Sequence, residues 1–284
     1  MNLLRRLRFR QTQQTKILKR IAETSGVAIG LMTRHPDDIA NDVIYFGVCK
    51  ACRSLMAARC LCDQGFPDDC FVILRTAYEA YLLVAAATNS AADEIANRVV
   101  KRQINIGIGK TIKRRNGKKW ILIDRETNAE YPHRNFGPHE MAEKTGNTLD
   151  KKIHAYLYGY LCEHGHPNMI TSGEFRISGF EYGIEFSKDP NDLLRPLLLA
   201  IYLGHLCIGE IAGYEDLDPP EQYAAMRQLT IGCKDIAECI GSDEKILGSK
   251  LGPLMLRRAN EMRAGLIEYY EDHFKSHALK GSVI

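Results

Sequence analysis

Aromatic residues are scarce in this chain: 8% of 284 positions, with a single tryptophan, Trp120. No stretch repeats at a period of about 20–50 residues, which excludes solenoid and propeller arrays. Long apolar runs free of charge are also missing. Cys70 to Thr88 contains Arg75 and Glu79, and Leu193 to Ile211 contains Arg195, His205 and Glu210. A charge at mid-span costs about 2.5–3.5 kcal/mol on insertion scales, so both runs read as buried helices of a bundle rather than integral membrane segments. Arginines punctuate the first ten residues and no apolar core of about 7–15 residues follows, so no secretory leader is read there. A cytoplasmic protein with reduced thiols is the expectation.

What is present is ordinary for a globular domain. Hydrophobic residues make up 45% and charged residues 26%, which excludes collagen, disorder and low-complexity scaffolds. The length suits one large domain.

The net charge of +3 conceals an uneven distribution. Residues 1–22 hold seven basic side chains (Arg5, Arg6, Arg8, Arg10, Lys16, Lys19, Arg20) and no acid. Residues 98–119 hold nine (Arg98, Lys101, Arg102, Lys110, Lys113, Arg114, Arg115, Lys118, Lys119), again with no acid. Of 38 basic and 35 acidic residues, 22 and 35 remain for the rest of the chain, which therefore carries −13. An acidic body with two basic segments points to an anionic partner, nucleic acid first and a phospholipid surface second. Solvated basic helix faces are the plainer account.

Nine cysteines invite a metal reading, above all Cys49, Cys52, Cys60 and Cys62. On one helix Cys49 and Cys60 lie about 16 Å apart at 1.5 Å per residue. One zinc needs four sulfurs at about 2.3 Å. A single-helix zinc site is therefore excluded, and buried structural thiols are expected. No metal or cofactor is read from the sequence.

Helices are expected over about 3–22, 37–63, 66–88, from about 91 into the basic segment, and over 148–163, 189–212, 219–240 and 252–273. Gly65 stops the second, and Pro67-Asp68-Asp69 opens the third in the turn where the dipole favours acids. Ile112 to Ile123 reads as a β-hairpin around Asn116-Gly117, with Ile121 to Ile123 pairing onward to residues 129–132. A weak strand pair is read within 174–186. The fold class expected is an all-α bundle of about seven or eight helices with a small β-hairpin insertion around 112–132. Residues 1–34 form a basic N-terminal helix and linker, and 35–284 the bundle.

Two clusters carry candidate chemistry. Arg75 and Glu79 are the only charges between Cys70 and Asn89 and, four apart, share a helix face. With apolar residues all around them, that face too is expected to be packed. The pair then either fixes helix register or presents a guanidinium, oriented by Glu79, to a phosphate. The second cluster is Cys162-Glu163-His164-Gly165-His166-Pro167-Asn168. Its histidines could cap the helix, transfer protons, or bind metal with too few neighbours, His205 and Glu210 being possible distant contributors.

RSLMAARCLCDQGFPDDCFVILRTAYEAYLL (53–83) and YLYGYLCEHGHPN (156–168) together resemble a bacterial helical family of unknown function. That family, with its Arg-x-x-x-Glu helix and later His, is in turn similar to the HEPN superfamily of small α-helical proteins. The resemblance covers about residues 45–88 and 150–215 and implies a homodimer and a metal-independent endoribonuclease of toxin or phage-defence type. It puts Arg75, Glu79 and His166 at the site, with Asn168 assisting by hydrogen bond. The basic residues Arg102, Lys110, Lys113, Arg114, Arg115, Lys118 and Lys119 would hold RNA. A non-catalytic nucleic-acid-binding or protein-interaction module of a defence or toxin–antitoxin system is the alternative. HEPN ribonucleases place Arg, four to six residues, then His at a helix terminus. Here that spacing occurs from Arg134 to His139 (RNFGPH), where Gly137-Pro138 reads as a loop or helix entrance.

Overall fold

The structure, a computed structural model, describes residues 3–31, 39–89, 95, 102–117, 119–132, 137–164, 176–178, 181–182, 190–214, 219–242 and 247–278. The described residues form nine helices, two of them short. These are α1 (Leu3–Gly30), α2 (Ile39–Gln64), α3 (Pro67–Asn89), α4 (Arg102–Gly107), α5 (Pro138–Lys144), α6 (Thr148–His164), α7 (Pro190–Tyr214), α8 (Pro219–Ser242) and α9 (Gly248–Ala278). The all-α bundle is as expected.

The hairpin is present too. Strand β1 (Thr111–Asn116) pairs antiparallel with β2 (Lys119–Asp124), Asn116 opposite Lys119, so Gly117 at φ +57 starts the two-residue turn. Strand β3 (Glu130–Pro132) extends the sheet with Leu122 opposite Tyr131. Strands β4 (Arg176–Ser178) and β5 (Glu181–Tyr182) form the weak pair.

α7 is the shaft of the bundle. From Leu193 to Ala212 nearly every side chain is buried, and α1, α2, α3, α8 and α9 all pack on it. A helix apolar around its whole circumference needs such enclosure. α3 and α7 are long and apolar enough to cross a membrane, yet 72% and 89% of those stretches are buried inside the bundle. α1 belongs to the same core through Ile17 and Ile21. It runs eight residues past the expected end at 22, through Gly26 and Gly30.

The α2–α3 junction shows how local chemistry sets the frame. Gly65 at φ +86 takes the left-handed position that closes α2. The Gly65 and Phe66 amides donate to the carbonyls of Cys62 and Leu61, satisfying two orphan acceptors of the last turn. Pro67 then opens α3 without needing a donor. At the α7–α8 contact, Gly232 leaves space for the His205 ring, which a Cβ there would overlap.

Six of the nine cysteines are buried, as expected of structural thiols, but Cys49 and Cys60 are exposed. The reason is geometric. They lie on the outer face of α2, whose inner face (Cys52, Leu55, Ala58, Cys62) meets α3.

Candidate active site

α6 carries much of the site. Asn147 caps it by accepting the Leu149 amide at 2.8 Å. The four-residue spacing then stacks His154 and Tyr158 along one face. The inner row, Asp150, Ile153, Leu157 and Leu161, is buried. α3 lies alongside and presents Arg75, Tyr78 and Glu79 to these side chains.

Arg75 and Glu79 do pair, Nε donating to Oε1 at 3.0 Å. Tyr158 joins them: its hydroxyl accepts from Arg75 Nη2 at 3.2 Å and donates to Glu79 Oε1 at 3.1 Å. The guanidinium carbon stands 5.3 Å from the Tyr158 ring centroid. Burial works against the Arg75 charge, but the bonds to Glu79 and Tyr158 outweigh it and hold its pKa above the ordinary value. The packing expected of this face is partial, since the side chains are 30% and 38% exposed. Val72, Arg75 and Glu79 lie three and seven residues apart on a stripe of α3 that no helix fully covers.

From Tyr158 an aromatic row continues. Its ring stacks on His154 at 4.9 Å and 17°, and His154 lies 5.9 Å from Tyr78 and 5.8 Å from His139. His154 Nδ1 meets the Tyr78 hydroxyl at 3.4 Å. Burial, with His139 nearby, lowers the His154 pKa and keeps it neutral near pH 7. His139 is different in kind. Its side chain is 71% exposed, at the second residue of α5, with Glu143 at 3.7 Å. The signal that could have found this histidine was the Arg134–His139 spacing, whose Gly137-Pro138 proves to be a helix entrance, Gly137 as N-cap and Pro138 in the first turn.

His166 and Asn168 lie outside the described residues. Their neighbour His164 meets Asp68 Oδ1 through its Nδ1 at 3.1 Å, tying the end of α6 to the start of α3. Its ring packs on Phe71 at 4.3 Å and edge-on to Tyr160 at 4.7 Å. His205 is sealed in the core, its two ring nitrogens 2.8 and 2.7 Å from the carbonyls of Ile201 and Gln228. Burial lowers its pKa, outweighing those carbonyls.

A deeply buried charge cluster lies elsewhere, around Arg258 on α9. The Arg258 Nε donates to Asp150 Oδ1 and its Nη2 to Glu210 Oε1, both at 2.9 Å. Tyr81 donates to Asp150 Oδ2 at 2.7 Å, while Thr88 and the Asn89 amide donate to Glu210 Oε2 at 3.1 Å each. The three charged side chains are only 6%, 2% and 8% exposed. Burial pushes the Glu210 pKa up, against the pull of Arg258. Glu210 and Arg258 form the floor of a cleft of about 380 Å³ walled by Asn89, Asn147 and Met262.

The two basic segments separate. In α1, Lys16 and Arg20 are engaged by Asp235 and Glu238 of α8 and by Glu23, so part of that charge is spent inside the bundle. Lys110, Lys113, Arg114 and Arg115 are exposed. The side chains of Arg102, Lys118 and Lys119 lie outside the described ones. Among the described residues no three His, Cys, Asp or Glu side chains are grouped as a metal would require.

Residues 41–181 match a family of unknown function (DUF5677). The match takes in α2, α3, the hairpin sheet and α6, and hence Arg75, Glu79, His139, His154 and Tyr158, but not Glu210 or Arg258. No curated protein and no solved structure matches the chain.

Proposed function

We propose that the protein acts on RNA as a metal-independent endoribonuclease, working in the cytoplasm as a homodimer, as the resemblance to HEPN ribonucleases implies. One observation carries the proposal: a partly exposed guanidinium, fixed by Glu79 and Tyr158, stands at one end of an aromatic row that ends in the exposed His139.

In this reaction a ribose 2′-hydroxyl attacks the adjacent phosphorus and the 5′-oxygen leaves, giving a 2′,3′-cyclic phosphate and a 5′-hydroxyl. His139 takes the 2′ proton or returns one to the leaving oxygen. Arg75 stabilises the charge that gathers on the phosphorane oxygens, and Glu79 and Tyr158 hold it in place. His166 and Asn168 remain candidates for the second proton transfer and its hydrogen bond. The exposed basic segment neutralises the RNA backbone, giving binding a steep salt dependence.

The test is cleavage of RNA in EDTA by wild type, Arg75→Ala, His139→Ala and His166→Ala, with the termini of the products identified. Loss in Arg75→Ala and in at least one histidine variant is expected. Cleavage equal in all four proteins, or absent from wild type, overturns the proposal. One feature favours a non-catalytic RNA-binding module instead: Arg75, Glu79 and Tyr158 already close a hydrogen-bonded triangle. Wild type that binds RNA without cutting it would decide for that module.

A further inference from the structure

The β1–β2 ribbon carries exposed cations that pair with no acid among the described residues. Lys113, Arg114 and Arg115 are exposed, and none forms an ion pair with a described residue; the Arg115 Nε donates only to the Gly117 carbonyl, at 3.2 Å. Arg115 stands directly opposite Trp120. Lys113 lies diagonally across, its Nζ 4.8 Å from the indole centroid. Direct and diagonal cross-strand neighbours project to one side, so these three side chains share a face. Further down that face Leu122 is 1% exposed, whereas Trp120 is 48% exposed. The base is packed and the tip is open. β1 is also an outer strand in the order β1-β2-β3.

An indole left half in water beside two cations that pair with no described acid suits a ligand with a flat π face beside negative charge. We infer that this face binds single-stranded RNA, one base stacked on Trp120 and the flanking phosphates on Lys113 and Arg115; the inference rests on the RNA-acting reading above. A duplex hides its base faces within the stack and offers the ribbon only phosphates. An anionic bilayer would also attract the cations, but it is a broad surface that repels a body carrying −13 outside the two basic segments. A single strand needs to meet the tip alone.

Trp120 is the only tryptophan, so its emission reports on this face directly. The 284-residue chain is titrated with a 2′-O-methyl oligouridylate of about twelve nucleotides, a length within the reach of one binding face. This probe lacks the attacking hydroxyl and cannot be cut. The same strand annealed to its complement is the control, and fluorescein anisotropy gives the affinities.

The single strand quenches the indole in wild type. Trp120→Ala weakens its binding about 5- to 150-fold, the equivalent of about 1–3 kcal/mol per stacked base. Trp120→Phe retains most of the affinity, and duplex binding is the same in all three proteins. Unchanged single-strand affinity in Trp120→Ala overturns the inference, and leaves the RNA-acting reading standing if wild type still cleaves RNA. If wild type binds neither nucleic acid and phosphatidylserine vesicles alone quench Trp120, both fall.

Discussion

Removing the guanidinium of Arg258 should damage the fold far more than removing that of Arg75, although both arginines pair with acids. In Arg258→Met the side-chain volume is largely kept, while Asp150 retains only the Tyr81 hydroxyl and Glu210 only Thr88 and Asn89. At 2% and 8% exposure neither carboxylate can recover its hydration. Stripping one partner from a buried pair costs about 3–5 kcal/mol. That is a large share of a total stability of about 5–15 kcal/mol. At about 2–4 °C per kcal/mol, Tm falls by about 6–20 °C. Arg75→Ala breaks an i,i+4 pair at 30% and 38% exposure. Solvent screens such pairs to about 0.2–1 kcal/mol, so its Tm moves by less than about 4 °C. Urea unfolding followed by far-UV circular dichroism, with the m-value held constant, measures both changes. A double variant, Arg258→Met with Asp150→Leu, should recover part of the loss, because it removes one of the two carboxylates that Arg258→Met strands, leaving only Glu210 without its cation. The reasoning fails if Arg258→Met lies within about 1 kcal/mol of wild type, or if Arg75→Ala costs as much. The contrast also serves the ribonuclease test: an Arg75→Ala protein that stays folded loses activity for chemical reasons.

Three further outcomes follow from the same geometry. The pKa values of His154 and His205 are lowered in the fold, mainly by burial. The unfolded chain therefore binds protons first, and stability drops as pH falls through about 6.5; the urea midpoint at several pH values checks this, and His154→Gln should flatten the slope. Gly232→Ala forces the His205 ring from its seat between two carbonyls and should cost about 1–3 kcal/mol or more in the same unfolding experiment. Gly65→Ala places a side chain at φ +86 and should cost about 1–2 kcal/mol without changing the spectrum of the native protein.

Much of the fold was legible because its boundaries are written in single residues. Gly65 and Pro67 mark the α2–α3 turn, and Asn116-Gly117 marks the hairpin; these are local effects that sequence carries directly. The length of α1 was not legible, because packing against α7 and α8 carries the helix past Gly26. α5 has only seven residues and begins at a Gly-Pro pair that reads equally as loop or helix entrance. The candidate site divided along the same line. The Arg75–Glu79 pair follows from helical spacing alone. Its exposure does not, since that depends on how much of α3 the neighbouring helices leave uncovered. Arg258 was hidden for a different reason. It sits beside Arg257, whose side chain is 69% exposed against its own 6%, and its partner Asp150 is 108 positions away. Nothing local distinguishes the two arginines.

The position of α7 in the chain bears on how the molecule is made. α1 ends at Gly30, yet the shaft it rests on begins at Pro190. At about 5–20 residues per second, a ribosome withholds α7 from Ile17 and Ile21 for roughly ten to thirty seconds. α1 is thus made well before the helix it rests on, and its seat is completed only once α7 has been translated.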